Sequence, residues 1–259
     1  MKISCLQMRV EVGDVAGNME RAAALTEKAM AEKPDVIVLP ELWDIGFFPR
    51  PLEGAADPDG TKRRAFLAAL AKKYAVNVIG GSIAVKRTDC IENRSFVFDR
   101  AGNEVATYAK SHLFSPAKEG KFFAAGSETV TFTLDGIKCG EIICYDLRFP
   151  ELTRKLALEG AQVLFAPAEW PTARVDHWCT LLRARAIENQ IFVAACNGSG
   201  SFGNGMPLAG HSVILDPWGQ PLAEADDSEM AITAALDFAE QEKIKKTINV
   251  FNDRRPEMY

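Results

Sequence analysis

The chain has 259 residues, 47% hydrophobic and 25% charged, an ordinary balance for a globular protein that can bury a sizeable core. Its net charge of −5 argues against non-specific nucleic-acid binding, which needs a basic face. No run approaches the ~18 apolar residues of a membrane span. No linker-like stretch interrupts the chain, so we expect one domain over 1–259, with a C-terminal tail from about 240 to 259.

Strand and helix periods alternate along the first half. The run 3–8 predicts a strand and not a signal peptide, because its apolar stretch is short and Arg9 and Glu11 interrupt it. Apolar residues at i, i+3 and i+4 spacing predict helices over 18–32 and 61–74. Further strands are predicted over 36–39, 76–85, 94–98 and 104–109.

The second half repeats this alternation. Strands are predicted over 130–134, 138–144, 163–166, 191–196, 211–215 and 230–236, and helices over 150–158 and 176–188. So many strands with two helices in each half suit an α/β protein in which two sheets pack face to face with helices outside, a four-layer α-β-β-α sandwich. A short helix and a polar tail beyond Glu240 have no obvious core to join.

The six cysteines are too dilute in a chain of this length to form a disulfide scaffold. Cys5, Cys139 and Cys196 each lie in an apolar strand-like run, which is typical of reduced core thiols. With no signal peptide and no membrane span, we expect a cytoplasmic protein.

Three residues that can carry chemistry stand at the ends of predicted strands. Glu41 follows the apolar run 36–39 and Pro40, Lys110 follows 104–109, and Cys144 ends the run 138–144 shortly before the Pro150-Glu151 helix start. Sites in α/β proteins form at the carboxyl ends of strands. Taken singly, each residue has a structural alternative: a surface carboxylate, a solvated charge or an inert core thiol.

Glu, Lys and Cys in this order and with these neighbours resemble the nitrilase superfamily of carbon–nitrogen hydrolases. The resemblance covers nearly the whole chain and rests on six segments: Gly13-Asp14 with Asn18, Leu39-Pro40-Glu41, Lys110-Ser111-His112-Leu113, Cys144-Tyr145-Asp146-Leu147-Arg148-Phe149-Pro150-Glu151, 183–189, and Gly210-His211-Ser212. It implies the same α-β-β-α sandwich and a hydrolase that needs no metal or cofactor.

The chemistry follows from the residue types. A cysteine of ordinary pKa is only a few per cent thiolate at neutral pH, so Cys144 needs a base, for which Glu41 is the candidate. Lys110 offers a fixed positive charge to the oxyanion of a tetrahedral intermediate, and the main-chain N–H of Tyr145 is the second donor. The family often has a second glutamate near the lysine. Glu119 matches it by position and would hold Lys110 charged and oriented.

Other residues near these motifs have less specific roles. Tyr145 and Trp170 could wall a substrate pocket, although large aromatic residues are core residues by default. His112 and His211 fit structural hydrogen bonding better than catalysis. Asp146 and Arg148 would pair with each other or with nearby helices.

Two patterns suggest other kinds of site. The glycine-rich segment 198–203 spells a dinucleotide-binding pattern, but no helix is predicted after it, so we interpret it as a loop at the edge of the site. Cys139, Cys144, His177 and Cys179 could be imagined around zinc, yet no C-x-x-C pair exists. A zinc-dependent hydrolase and a non-catalytic binding protein remain the alternatives from other classes.

Within the superfamily, 144–151 and the short chain look most like the ω-amidase branch, which hydrolyses the terminal amide of 2-oxo dicarboxylic acid monoamides. Cleavage of deaminated glutathione and nitrile hydrolysis are the nearest rivals. Specificity would depend on loops 47–54, 170–174 and 198–207, and Arg174 or Arg50 could bind the substrate carboxylate. Family members commonly dimerise through the helices after the nucleophile and after Trp170, so we expect a homodimer or a larger homo-oligomer.

Overall fold

The computed structural model describes residues 1–47 and 51–258. Its helices are α1 (Val15–Ala29), α2 (Thr61–Tyr74), α3 (Pro150–Leu158), α4 (Val175–Asn189) and α5 (Phe238–Thr247). Its strands are β1 (Lys2–Gln7), β2 (Arg9–Val10), β3 (Val36–Val38), β4 (Asp57–Pro58), β5 (Asn77–Ile79), β6 (Ile83–Lys86), β7 (Ile91–Phe98), β8 (Glu104–Ala109), β9 (Thr131–Leu134), β10 (Ile137–Glu141), β11 (Val163–Ala168), β12 (Phe192–Asn197), β13 (Ser199–Gly200), β14 (Val213–Leu215), β15 (Pro221–Glu224) and β16 (Met230–Ala235).

The strands form two large mixed sheets and one small ribbon. The first sheet has the order β16-β1-β3-β5-β7-β6-β4, and β8 also pairs with β7. The second has the order β15-β14-β12-β11-β10-β9, and β13 pairs with β2 separately. Strands β1, β3 and β5 run parallel in the first sheet, as do β10, β11 and β12 in the second.

Three apolar layers hold four layers of secondary structure together. Between the sheets, residues such as Cys5 and Val38 pack with Phe165 of the facing sheet. The outer face of the first sheet packs against α1 and α2, and the outer face of the second packs against α3 and α4. The predicted α-β-β-α sandwich is therefore confirmed.

Helix boundaries follow local signals closely. The predicted ranges 61–74 and 150–158 coincide with α2 and α3, and α3 begins with Pro150, which lacks the N–H that a first helical residue leaves unpaired. Helix α1 begins earlier than predicted because the Asp14 side chain caps it by accepting the N–H of Gly17.

Turns interrupt two of the predicted strands. The range 76–85 divides into β5 and β6, because Gly81 turns the chain at a φ of +63° so close to Pro40 that a Cβ would lie 2.0 Å from the Pro40 carbonyl oxygen. The range 138–144 is too long, since β10 ends at Glu141 and Cys144 begins a 3-10 turn, Cys144–Arg148.

The C-terminal helix joins the core, contrary to expectation. In α5, Ile244 is buried, and the buried Gln241 donates to the main-chain oxygens of Gln162 and Gln190. The sequence did not predict this contact because the helix is polar except for a narrow apolar stripe. Within the described ranges, no helix has the length and apolar character needed to cross a bilayer.

Candidate active site

Glu41, Lys110 and Cys144 meet at one end of the sandwich. Glu41 lies in the turn after β3, Lys110 follows β8 directly, and Cys144 lies three residues beyond β10. The Lys110 Nζ lies 2.8 Å from Glu41 Oε1, and the Cys144 thiol is hydrogen-bonded to the Glu41 carboxylate. The structure therefore assembles the three residues singled out from the sequence.

Glu119 completes a buried ionic cluster. Its carboxylate oxygens lie 3.0 and 3.1 Å from Lys110 Nζ, and all three side chains of the cluster are inaccessible to solvent. Burial alone would lower the pKa of Lys110, but the charges of Glu41 and Glu119 outweigh it and hold that pKa well above its ordinary range. Lys110 is thus a permanent cation beside the thiol.

Cys144 has a strained main chain and a protonated thiol. Its φ of 48° lies in the left-handed region, which costs a non-glycine residue about 1–2 kcal/mol, and such strain concentrates at functional sites. Burial, then the charge and hydrogen bond of Glu41, raise the pKa of the Cys144 thiol well above its ordinary range, while Lys110 opposes them. These contributions favour a protonated thiol that is hydrogen-bonded to the Glu41 carboxylate, an arrangement in which a base could take the thiol proton.

The main-chain N–H of Tyr145 is available to a bound group. It belongs to the first turn of the Cys144–Arg148 segment, and no main-chain carbonyl among the described residues accepts it. Together with Lys110 it provides two donors next to Cys144. This is the arrangement that an oxyanion requires.

Asn93 is a site residue that the sequence analysis missed. It lies on β7, is fully buried, and its Nδ2 donates to Glu41 Oε1 at 2.8 Å and to Glu119 Oε1 at 3.3 Å. One amide thus bridges the two carboxylates. The only signal was an amide immediately before the predicted strand 94–98, which does not reveal its partners.

Asp146 joins the turn Cys144–Arg148 to the loop that follows Lys110. Its buried carboxylate accepts the Tyr108 hydroxyl at 2.8 Å, the main-chain N–H of His112 at 2.8 Å and that of Ile143 at 3.0 Å. The His112 ring also contacts it at 2.9 Å and stacks on Phe149. Asp146 therefore pairs with this loop and not with Arg148, which contacts His177 of α4 at 3.3 Å.

A cavity of about 730 Å³ opens onto Cys144, within the usual size range of small-molecule sites. Most of its wall is apolar, and Tyr145 and Trp170 are part of it. Each of the three loops expected to set specificity contributes one aromatic side chain to this wall: Phe47, Trp170 and Phe202.

Two arginines bring positive charge to this cavity. Arg148 and Arg174 both line it, packed over the rings of Trp170 and Phe114 respectively, and neither forms an ion pair with a described residue. The sequence analysis named Arg174 as a candidate carboxylate ligand but gave Arg148 only a structural role. Its other candidate, Arg50, lies outside the described residues.

A buried carboxyl group, Glu169, also lines the cavity and was missed. It follows β11 directly, and its main-chain N–H donates to Glu41 Oε2 at 3.0 Å. The next residue, Trp170, is held by Asn197 at the end of β12, whose side chain bonds both its N–H and its carbonyl oxygen. In the sequence, the signal for Glu169 and Asn197 was their position at the carboxyl ends of parallel strands, where α/β proteins form their sites.

The remaining patterns do not build separate sites. The glycine-rich segment forms β13 and a loop that places Phe202, Gly203 and Asn204 at the cavity, and it opens no helix. Over 1–47 and 51–258, no group of three or more His, Cys, Asp or Glu side chains is arranged to hold a metal ion. The cysteines imagined around zinc are separated, since Cys139 lies between the sheets and Cys144 at the cavity.

Comparison with known proteins agrees with this geometry. The carbon–nitrogen hydrolase family profile matches residues 2–246. A 2-oxoglutaramate amidase from Bacillus subtilis (strain 168) is 44% identical over 257 residues, which cover 99% of this chain and 98% of that protein. A 2-oxoglutaramate amidase from Paenarthrobacter nicotinovorans is 38% identical over 245 residues, 88% of this chain and 80% of that protein.

A solved structure extends the similarity to three dimensions. The Xanthomonas campestris protein XC1258, a CN-hydrolase superfamily protein with an arsenic adduct in its active site, superposes with a TM-score of 0.92 at 31% identity. The match covers 98% of this chain and 97% of that one. From its sequence, its sandwich and its buried Glu-Lys-Cys cluster, the chain belongs to the carbon–nitrogen hydrolase family.

Proposed function

We propose that this protein hydrolyses the terminal amide of a 2-oxo dicarboxylic acid monoamide, releasing ammonia through a thioester on Cys144. The family supports carbon–nitrogen hydrolysis, and the two relatives described above are 2-oxoglutaramate amidases. The buried cluster around Cys144 supports a thiol mechanism. Of the structural observations, the main support for this substrate is that Arg148 and Arg174 line the cavity without an acidic partner among the described residues.

The first half-reaction forms the thioester. As the Cys144 sulfur attacks the amide carbon, Glu41 takes the thiol proton, which spares the site a free buried thiolate. The carbonyl oxygen becomes an oxyanion facing Lys110 and the N–H of Tyr145. Collapse of this intermediate breaks the C–N bond, and Glu41 returns its proton to the nitrogen, which leaves as ammonia.

The second half-reaction releases the acid. Glu41, ionised again, takes a proton from a water molecule that attacks the thioester carbon. Lys110 and the N–H of Tyr145 face the second oxyanion, and Cys144 leaves as a thiol after recovering the proton from Glu41. Because Lys110 carries a permanent charge, the oxyanion site needs no rearrangement between the two half-reactions.

The substrate carboxylate needs a cation in this mostly apolar cavity. A carboxylate in a partly dry site is stable only when it is paired or hydrogen-bonded. Arg148 and Arg174 lack an acidic partner among the described residues, so an incoming anion does not have to displace one. Both lie on the same cavity as Cys144, which suits a short substrate with its amide and carboxylate at opposite ends.

Substrate comparison tests this assignment. We expect 2-oxoglutaramate and 2-oxosuccinamate to exceed deaminated glutathione, glutamine and a simple nitrile by at least ~10-fold in kcat/KM, measured as ammonia release or, for deaminated glutathione, as cysteinylglycine release. The nitrile lacks the charged contact with the arginines, whose loss costs about a factor of ten, and glutamine places an ammonium group beside them. Arg174→Gln should raise KM for 2-oxoglutaramate by a similar factor, whereas Arg183→Gln, at an exposed position on α4, should not. A nitrile or a neutral amide as the best substrate would contradict the proposal.

Glu119→Gln tests the support of Lys110. Every neighbour of the Glu119 carboxylate is a donor: Lys110, the Asn93 amide and the main-chain N–H of Phe114. A glutamine amide must turn its own NH₂ towards one of them, so we expect Lys110 to shift and kcat to fall about 100-fold. Glu128→Gln, at an exposed glutamate, is the matched control. Unchanged kcat in Glu119→Gln would leave Glu119 without a role in turnover.

The other candidate reactions fit the site less well. Nitrile hydrolysis and cleavage of deaminated glutathione could use the same Cys144 chemistry, but no feature of the cavity favours them over a short 2-oxo amide. A purely binding role would leave the buried cluster unexplained. A family member without catalysis would have no need to keep Glu41, Lys110 and Cys144 in contact.

Three further properties belong to this proposal. We infer a single catalytic domain over 1–259, because the residues of the cluster come from both halves of the chain. We infer a cytoplasmic location, since all six cysteines are free thiols, as reducing compartments favour. We also propose a homodimer or larger homo-oligomer, as is common in the family, and light scattering at micromolar concentration tests it.

A further inference from the structure

The Glu169 side chain lines the same cavity as Cys144, yet the hydrolytic cycle makes no use of it. It is only 2% exposed, and its Oε2 has no hydrogen-bond partner. A buried carboxyl oxygen without a hydrogen-bond partner carries a desolvation cost, which a bound group can offset. At a substrate cavity, the missing partner can be the substrate.

The surroundings of Glu169 favour its neutral form. Burial comes first, and the negative charges of Glu41 and Asp44 then add to it, so the pKa of Glu169 is raised well above its ordinary range against the opposing charge of Lys110. Lys110 is already shared by Glu41 and Glu119, and Arg63 is engaged with Asp44 at 3.0 Å. A neutral carboxylic acid carries an O–H and can therefore donate a hydrogen bond.

One polar group of the proposed substrate, the 2-oxo oxygen, still lacks a hydrogen-bond donor. Its amide meets Cys144, Lys110 and the Tyr145 N–H, and its carboxylate meets the arginines. The 2-oxo oxygen between them can only accept a hydrogen bond, and most of the cavity wall near it is apolar. Resting on the proposed function, we propose that Glu169 is a specificity-determining residue whose neutral carboxyl group donates to the 2-oxo oxygen of the substrate.

This contact would separate keto acids from the corresponding amino acids. In glutamine the 2-position carries an ammonium group, which donates and cannot accept the Glu169 proton. It would also stand beside Arg148 and Arg174, whose charges repel it. Glu169 thus supplies a reason for selectivity at the 2-position that the arginines alone do not, because they recognise the carboxylate that both compounds share.

Two substrates and two variants test the assignment. The substrates are 2-oxoglutaramate and the monoamide of glutaric acid, which differ only in the 2-oxo group. Wild-type enzyme should prefer 2-oxoglutaramate by roughly tenfold in kcat/KM, and Glu169→Leu should lose that preference mainly through KM. Glu169→Gln, neutral and still a donor, should keep it. The glutaric monoamide serves as an internal measure of intact catalysis.

The outcomes separate this contact from other roles. Equal loss on both substrates in a folded Glu169→Leu protein would overturn the proposal, because Glu169 would then act on the reacting amide or on the fold. A tenfold gain in Glu169→Gln would also overturn it, by showing an ionised Glu169 that repels the substrate. Wild-type enzyme without any preference for the 2-oxo compound would overturn it even if Glu169→Leu fails to fold. Failure to hydrolyse 2-oxoglutaramate at all would instead refute the proposed function.

Discussion

Replacing Cys144 with alanine is expected to lower ammonia release by ~10⁴-fold or more, to the background of the assay, while the protein stays folded. Without the sulfur no thioester can form, and loss of a catalytic nucleophile typically removes nearly all turnover. The side chain lines the cavity and also belongs to the apolar layer around α3 and α4, so the substitution removes one sulfur atom from that packing and the protein should stay folded. Ammonia release from 2-oxoglutaramate and thermal unfolding measure the two effects.

Cys139→Ala is the matched control for this variant. Cys139 is fully buried between the sheets, so its replacement should lower the unfolding temperature and leave kcat nearly unchanged. The same substitution is thus expected to lower mainly the activity at Cys144 and mainly the stability at Cys139. Retention of more than a few per cent of wild-type kcat in Cys144→Ala would refute the thiol mechanism.

Glu41→Gln is expected to separate hydrolysis from thiol reactivity. The variant keeps the shape of the side chain but cannot carry the proton from Cys144 to the leaving nitrogen or activate water, so kcat should fall ~10³-fold or more. Reaction of Cys144 with iodoacetamide should not fall with it. Burial, and then the charge and hydrogen bond of Glu41, raise the pKa of this thiol, and Lys110 lowers it.

The sign of the effect on the thiol follows from these contributions. Burial and the charge of Glu119 still raise the pKa of Cys144 in this variant, but the charge of Glu41 no longer does, so that pKa falls and the thiolate fraction at a given pH rises. The pH midpoint of alkylation should therefore move to lower pH in Glu41→Gln. Cys144→Ala supplies the unlabelled control. A parallel loss of alkylation and hydrolysis would mean that Glu41 is needed to form the thiolate or to keep the site intact.

Much of the fold was readable because its signals are local. Helices α2 and α3 have their predicted bounds, since apolar spacing, Pro150 and the surrounding turns are properties of short segments. The segment beyond Glu240 was misjudged for the converse reason. The burial of Ile244 depends on a surface formed elsewhere in the chain, and the few apolar residues of an otherwise polar helix do not predict it.

The sequence by itself predicted the sandwich, because strand and helix periodicity is encoded residue by residue. It also placed Glu41, Lys110 and Cys144 at strand ends, and their order and neighbours resembled the family and so singled them out. Only the tertiary structure decided how they are supported and what else faces the substrate. The bridge that Asn93 forms between two carboxylates, the link that Asp146 forms between two loops, and the raised pKa of Glu169 all depend on contacts between distant segments. A side chain's charge state and partners are set by what surrounds it, and folding alone determines those surroundings.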